Sequence, residues 1–255
     1  MSLEYRQIIL ERVKLPGSRV EFPEWRVSYG RVSVLLGGPE SSRKGVLRVL
    51  AGLDKPLAGN IRTTGEGAEG GAGPLRRTTR TAYLPPPGEE VFAGTTAGEE
   101  IRFFSGETDD MGARLEEIEA ILGTRFGTLM QRSVWELSEA ERRLLLIVSQ
   151  AVARPALWLI YEPFQETDAR SEAGVAEFIE KAAAGGAAVV VATLRSDDAL
   201  KVAHELLVLT RDGEVSYQGS VKDLQAGRLA YQGFDLALLR RFCCGESSIH
   251  ERRQL

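Results

Sequence analysis

The stretch "VSVLLGGPESSRKGVLRVLAGL" (32–53) decides how this chain is interpreted. A short apolar run ends in Gly-Gly, polar residues follow, and a basic pair then begins a helical pattern. This order is the outline of a phosphate-binding loop, in which backbone N–H groups at the start of a helix hold an anion. Glu40 adds a carboxylate to the loop, and no Ser or Thr follows the lysine. The stretch therefore predicts either a nucleotide site or a scaffold that has lost its ligand.

The composition is that of an ordinary globular protein. The chain has 255 residues, 43% of them hydrophobic and 27% charged, enough for one large α/β domain or a domain with a subdomain. The chain has a net charge of −4 and so lacks the overall positive charge that attracts a nucleic-acid backbone. We therefore expect no nucleic-acid partner. The sequence contains no apolar run long enough to span a bilayer, and its start does not read as a signal peptide. We expect a cytoplasmic protein, with peripheral attachment to the inner face of the membrane left open.

Short apolar runs and helical patterns alternate along the chain. The runs "RVSVLL" (31–36), "LWLIY" (157–161) and "AAVVVAT" (187–193) predict strands buried on both faces of a parallel sheet. An amphipathic helix is predicted over 111–122, and a buried helix over 139–153. The chain is thus predicted to be an α/β core (1–98 and 151–225) with a helical subdomain (99–150) and a C-terminal tail (226–255).

Two further features have no assigned role. The segment 63–74 is rich in glycine but lacks the strand and helix that flank a phosphate loop, so we expect a surface loop. Cys243 and Cys244 are adjacent and are the only cysteines, which excludes a disulfide framework and a zinc site built from cysteine. We predict no metal site, and the role of the cysteines and of the tail stays open.

These pieces together resemble the nucleotide-binding (ATPase) subunit of ABC transporters over about residues 3–225. The resemblance depends on the order of several segments. They are "VLRVLAGLDKPLAGNI" (46–61), the Q-loop-like "YLPPPGEEVFAGTTAGEEIRF" (83–103), the signature, Walker B and D-loop run "RSVWELSEAERRLLLIVSQAVARPALWLIYEPFQETD" (132–168), and "GEVSYQGSVKDL" (213–224). The resemblance implies a P-loop NTPase-like core with a mixed sheet flanked by helices and an α-helical subdomain.

The phosphate loop departs from the family pattern G-x-x-x-x-G-K-[ST]. Aligned without gaps, Arg43 takes the lysine position, Lys44 the hydroxyl position, and Glu40 and Ser42 stand where the family usually has glycine. By the resemblance, the vestigial nucleotide-binding residues are Gly37, Gly38, Ser41, Ser42, Arg43 and Lys44. Two interpretations of the basic pair stay open, namely phosphate binding and pairing with Glu40.

The remaining catalytic motifs are also altered relative to the family. The Q-loop glutamine position is Pro86, and the switch-histidine position is Leu194. The Walker B run ends in Tyr161-Glu162, which leaves a vestigial base without the aspartate that positions Mg²⁺. A helix-capping and packing role is the other interpretation of Glu162. Asp168 of the D-loop is kept.

The signature motif L-S-G-G-Q is represented by "LSEAE" (137–141), of which only Leu137 and Ser138 are kept. Ser138 and Glu141 have the spacing of a capping box, in which each residue's side chain satisfies a free N–H group of the other. We therefore predict a helix start that is complete without a phosphate. For the altered sites together we predict no cofactor, and ATP with Mg²⁺ only if the family's function is retained.

The resemblance gives three hypotheses of function. The first is an ABC-subunit-like protein with lost or strongly reduced ATP hydrolysis that is a structural or regulatory partner of a membrane permease subunit or a second ABC subunit. The others are a weak or unusual ATPase and an anion or nucleotide sensor without chemistry. The segment 85–103 carries apolar residues that we expect either to dock a transmembrane partner or to pack within the subdomain; they are Val91, Phe92, Ile101 and Phe103. A homodimer stays open, and the sequence names no transported substrate.

Overall fold

The computed structural model describes residues 6–17, 21–38, 41–64, 80–105, 110–165, 169–210 and 215–225. The strands in chain order are β1 (Gln7–Lys14), β2 (Glu21–Ser28), β3 (Val32–Leu36), β4 (Ala58–Thr64), β5 (Thr81–Leu84), β6 (Leu157–Tyr161), β7 (Ala188–Thr193), β8 (Glu205–Leu209) and β9 (Val215–Ser220). The helices are α1 (Arg43–Leu50), α2 (Ala97–Ser105), α3 (Met111–Leu122), α4 (Glu139–Ala151), α5 (Ala169–Ala184), α6 (Ser196–Val202) and α7 (Val221–Gln225).

The larger sheet has six strands in the order β5-β6-β7-β3-β8-β9. All neighbours pair in parallel except β8 and β9, which are antiparallel, so the sheet is mixed. The three predicted apolar runs form β6, β7 and β3, which are adjacent central strands and are buried along almost their whole length. The predicted α/β class and the parallel pairing of these strands are therefore confirmed.

Hydrophobic clusters cover both faces of this sheet. On one face, alternate residues such as Val189 and Val191 pack with the helices α3 to α6. On the other face, Val190 and Ala192 pack with α1 and with the smaller antiparallel sheet, whose order is β2-β1-β4. Burial on both faces explains why these strands are continuous apolar runs with no alternation of polar residues.

The two predicted helices are present. In α3 the buried residues are Ile118 and Leu122, one turn apart, and Met111 and Leu115 pack against the same cluster. In α4 every residue from Arg143 to Ala151 is buried. Helix α4 thus lies against the sheet, and it carries the signature-like segment at its start. The division into a core and a helical subdomain stays a prediction.

Some predictions fall outside the described residues. They concern most of the glycine-rich segment, the tail 226–255 with its two cysteines, and two site residues, Glu40 and Asp168. Within the described residues, no helix combines the length and apolar character needed to cross a membrane.

Candidate functional site

The altered motifs meet at the carboxyl ends of β3, β6 and β7. Because these strands are parallel neighbours, the residues that follow them lie at one edge of the sheet. The Gly37 N–H donates to the carbonyl oxygen of Thr193 at 3.2 Å, and the Glu162 N–H donates to that of Ala192 at 2.8 Å. The structure therefore brings together the phosphate-loop, Walker B and switch positions that the sequence pattern predicted from separate segments.

A buried ion pair joins the phosphate loop to the end of β6. Arg43 Nη1 lies 2.5 Å from Glu162 Oε1, and the two side chains are only 1% and 6% exposed. Glu162 Oε1 also accepts from the Leu194 N–H at 2.9 Å, and Oε2 accepts from Thr193 Oγ1 at 2.8 Å. The carboxylate thus binds the phosphate loop and the end of β7, and it caps no helix among the described residues.

The two basic residues of the loop differ in their surroundings. The Arg43 guanidinium also lies over the ring of Tyr161, with 5.1 Å between Cζ and the ring centroid. The Lys44 side chain is 42% exposed, and its Nζ lies 2.6 Å from the carboxylate of Glu89. Arg43 therefore has Glu162 as a partner and Lys44 has Glu89. Glu40 lies outside the described residues, so the pairing of the two basic residues with Glu40 stays a prediction.

In the described part of the loop between β3 and α1, the Ser41 side chain packs against the two glycines. Ser41 is fully buried, and its Oγ donates to the carbonyl oxygen of Gly38 at 2.6 Å. A Cβ atom at Gly37 would lie 2.5 Å from Ser41 Oγ, so glycine is needed at this position. Ser42 has a left-handed backbone (φ 60°), and its side chain does not cap α1. Gly37, Gly38 and Ser41 thus pack closely together just before α1.

The start of α4 carries the predicted capping box. Ser138 Oγ accepts from the Glu141 N–H at 3.2 Å, and Glu141 Oε2 accepts from the Ser138 N–H at 2.8 Å. The hydrogen bond from the Ser138 backbone lowers the pKa of Glu141 below its usual value. Leu137, the other kept signature residue, is buried. The prediction of a self-capped helix start is confirmed.

Arg143 is a site residue that the sequence interpretation missed. It is 1% exposed, and its two Nη atoms donate to the carbonyl oxygens of Pro85 and Tyr161, which adjoin the Q-loop position Pro86 and Glu162. Burial lowers the pKa of Arg143 to about 10. A signal was available, because Arg143 is four residues before the buried Ile147 and so lies on the same apolar face of α4.

Comparison with known proteins supports the family resemblance. No family model matches the chain. The chain is 28% identical over 203 residues to the Fe(3+) ions import ATP-binding protein FbpC of Mesorhizobium japonicum, covering 78% of this chain and 55% of that protein. It is also 28% identical to the spermidine/putrescine import ATP-binding protein PotA of Pseudomonas aeruginosa over 210 residues, covering 80% and 54%. The chain is a relative of the ABC transporter ATP-binding subunits.

The fold agrees with that relationship. A solved structure of an ATP-binding subunit of an ABC transporter superposes with a TM-score of 0.76 at 19% identity, covering 93% of this chain and 99% of that one. The chain spans about half the length of the two curated relatives named above.

In this ABC-type fold, few of the described residues offer ligands to Mg²⁺ at the site. By the resemblance, Tyr161 stands at the position of the Walker B aspartate, and the Glu162 carboxylate forms an ion pair with Arg43. Among the described residues no group of three or more His, Cys, Asp or Glu side chains is arranged to hold a metal ion. His204 lies at the opposite edge of the sheet, where its Nδ1 accepts from the Val32 N–H at 2.9 Å.

The segment 85–103 presents a small apolar surface. Val91 and Phe103 are 83% and 66% exposed, and Phe92 packs edge-to-face against Trp135, which is itself 73% exposed. Ile101, which we expected among the docking residues, is fully buried in the core and is not available to a partner. The sequence interpretation also missed Trp135, because it lies outside this segment. We use the name aromatic surface for four apolar residues, of which Phe92 and Trp135 are in contact; they are Val91, Phe92, Phe103 and Trp135.

Proposed function

We propose that the chain is an ABC ATP-binding-subunit-like protein with lost or strongly reduced ATP hydrolysis. The observation that carries this proposal is the buried ion pair between Arg43 and Glu162. In the family's chemistry the cation at the position of Arg43 binds phosphate, and the carboxylate at the position of Glu162 polarises the attacking water. Here each group is the other's partner, and the second oxygen of the carboxylate accepts from Thr193.

The cost of opening this ion pair opposes nucleotide binding. Removing one partner from a buried pair typically costs about 3–5 kcal/mol, because the other charge is left uncompensated. A phosphate that captured Arg43 would leave the Glu162 carboxylate close to a second anion. At about 4 Å two like charges repel by about 4 kcal/mol at an effective dielectric constant near 20. ATP binding at this site must therefore overcome both the cost of leaving Glu162 unpaired and its repulsion from the phosphate. Tyr161 offers no carboxylate to bind Mg²⁺.

The test is a calorimetric titration of the purified chain with ATP, with and without Mg²⁺. We expect no saturable binding up to about 1 mM ATP, which corresponds to less than about 4 kcal/mol of binding free energy. Glu162→Gln is the matched variant, because it removes the charge that opposes phosphate and keeps the side-chain shape. We expect this variant to bind ATP at least as well as the unaltered chain.

Other outcomes would favour the alternative functions. Micromolar ATP binding with Mg²⁺-dependent turnover that is lost in Glu162→Gln would contradict the proposal and indicate a weak ATPase. Binding that is independent of Mg²⁺, weakens with salt and disappears in Arg43→Ala would indicate an anion or nucleotide sensor.

We further propose that the chain is a structural or regulatory partner in a membrane transport complex, at the inner face of the membrane. The aromatic surface supports this, since exposed aromatic side chains are typical of the centres of protein interfaces. The two curated relatives are named as import ATP-binding proteins, one for Fe(3+) ions and one for spermidine/putrescine. These names do not assign a substrate to this chain.

Recovery from native membranes tests this part. We expect the tagged chain to co-purify with a membrane permease subunit, and Phe103→Ser to reduce the recovery at least fivefold. Leu53→Ser is the matched control, because Leu53 is a similarly exposed apolar residue (55%) outside the aromatic surface. Equal recovery with both variants would show that the aromatic surface is not the docking site. Absence of any membrane protein would contradict the partnership.

A further inference from the structure

A half-open cavity of about 470 Å³ lies at the edge of the sheet opposite the Arg43–Glu162 pair. It is formed by α3, the end of α4, the residues that enter β6, the second half of α5 and the turn into β7. Its sheet residues precede or begin β6 and β7, whereas Glu162 and Leu194 follow these strands. Five strand residues rise by about 17 Å in total, so the cavity is separate from the altered nucleotide site.

The inner wall of the cavity is apolar and partly aromatic. Ile118, Trp158 and Phe178 line it, although they are only 7%, 2% and 6% exposed. The two rings pack edge-to-face with centroids 5.1 Å apart, which fixes their orientation. A rigid aromatic and aliphatic wall of this kind complements a flat apolar group.

The mouth of the cavity is lined by three cationic side chains and one carboxylate. They are Arg114, Arg154 and Lys181, with Glu117. Two further carboxylates, those of Asp110 and Glu177, contact these cations, so the charges described around the mouth are balanced. An anionic group binds there only through a cation that its carboxylate partner engages weakly.

The three cations differ in how strongly they are already engaged. Arg114 donates to the carbonyl oxygen of Val152 and to Asp110 Oδ2, both at 2.9 Å. Lys181 Nζ lies 2.8 Å from Glu177, four residues earlier on α5. Arg154 is 67% exposed and approaches Asp110 Oδ2 only to 4.0 Å. Arg154 thus has the greatest capacity to bind a further anion.

The backbone at Arg154 is held in an uncommon conformation. Its φ is 47°, in the left-handed region, which few residues other than glycine adopt. The next residue is Pro155, which normally favours an extended conformation in the residue before it. The Arg154 N–H donates to the carbonyl oxygen of Ala151 at 2.9 Å, so the turn is tied to the end of α4. This turn keeps Arg154 at the mouth of the cavity.

We propose that this cavity binds small amphipathic anions, in which a flat apolar body carries a carboxylate. The volume lies within the range of about 300–1,000 Å³ that is usual for small-molecule sites. The apolar body packs against the wall that contains Trp158 and Phe178. The carboxylate lies at the mouth, where Arg154 and Lys181 supply charge-assisted hydrogen bonds.

Calorimetric titration of the full chain with indole-3-acetate tests the site. A ligand of this size in a half-open site is expected to bind with a Kd of about 0.1–1 mM. Tryptamine has the same ring with a positive charge, and acetate has the same carboxylate without the ring. We expect both to bind at least tenfold more weakly. Absence of saturable binding, or equal binding of tryptamine, would contradict the proposal.

Variants of the chain test whether indole-3-acetate binds in this cavity or on another surface. Arg154→Ala should weaken indole-3-acetate binding about fivefold, the effect expected for one partly exposed charge. Arg125→Ala is the matched control, because Arg125 is also exposed but does not line the cavity. Ala182→Leu adds volume at the lining and should reduce binding at least tenfold, with thermal unfolding confirming that the variant is folded. Unchanged binding in both Arg154→Ala and Ala182→Leu would place the ligand elsewhere and overturn the assignment.

Discussion

The starts of α1 and α4 correspond, by the family resemblance, to two helix ends that hold phosphate, and in this chain their side chains are paired in different ways. At α4, Ser138 and Glu141 satisfy the free N–H groups through a local capping box. At α1, Ser42 makes no side-chain cap, the first turn has no acidic residue, and the first helical residue is Arg43. A cation at a helix start is unfavourable, since the helix dipole is positive there. Its compensation comes from Glu162, which is 119 residues away along the chain.

The comparison shows that near neighbours satisfy the N–H groups at the start of α4, whereas the tertiary fold balances the charge of Arg43 at the start of α1. The capping box at α4 spans four residues and forms whenever the helix forms. The ion pair at α1 requires that β3, β6 and β7 are already side by side, because Glu162 follows β6 and its carboxylate also accepts from the end of β7. We therefore expect the α1 end to depend on the whole sheet, and its loss to be the more damaging of the two.

The largest effect is expected for Arg43→Met, which removes the cation from the α1 end. The Glu162 carboxylate then stays buried without its charged partner, and the free energy of unfolding should fall by about 3–5 kcal/mol. Urea unfolding followed by circular dichroism measures this change. The double variant Arg43→Met/Glu162→Gln should recover part of the loss, because the uncompensated charge is gone.

Lys44→Met is the matched control for this prediction. Lys44 lies in the same turn of α1 and also contacts a carboxylate, but the Lys44 and Glu89 side chains are 42% and 48% exposed. Exposed ion pairs of this kind contribute about 0–1 kcal/mol. Equal losses for Arg43→Met and Lys44→Met would show that burial of the Arg43–Glu162 pair has no special importance, and the comparison between the two helix ends would fail.

The sequence predicted the features that depend on local patterns. The strands β3, β6 and β7, the helices α3 and α4, and the capping box follow from apolar periodicity and residue spacing within short segments. The partner of Arg43 could not be predicted in this way, because it depends on which strands are neighbours in the sheet. From the sequence, Glu40 was the nearer candidate for pairing with Arg43 and Lys44. Glu40 lies outside the described residues, and the partners that the structure describes for the two basic residues are Glu162 and Glu89.

The aromatic surface shows a second limit of sequence patterns. Ile101 and Phe103 are two residues apart on α2, and this spacing rotates their side chains by about 200° around the helix axis. One therefore lies in the core while the other is exposed. An apolar segment alone predicts that some of its residues are buried and others are exposed to a partner. Which residues are buried depends on how α4 packs against α2.

A smaller effect is expected at the α4 end. Ser138→Ala removes the side chain that accepts from the Glu141 N–H, and loss of such a cap costs about 1 kcal/mol. Because the Ser138 side chain also helps to lower the pKa of Glu141, the loss should be smaller at pH 4 than at pH 7. A loss as large as that of Arg43→Met would contradict the view that the α4 end is the locally completed and less critical of the two.

Glu141→Gln tests the charged half of the same capping box, and its effect should depend on pH. The pKa of Glu141 is lowered in the folded chain, mainly because the carboxylate accepts from the Ser138 N–H, so the folded state binds the proton less tightly than the unfolded chain. The stabilisation by the carboxylate is therefore complete above the ordinary pKa of 4.5 and is lost as the pH falls through the lowered folded-state pKa.

We expect the unaltered chain to be more stable than Glu141→Gln by about 0.5 kcal/mol at pH 7. This difference should disappear at about pH 3, as measured by urea unfolding at each pH. A difference that stays constant over this range would mean that the carboxylate acts only through its shape, and the anion at this helix end would then have no electrostatic role.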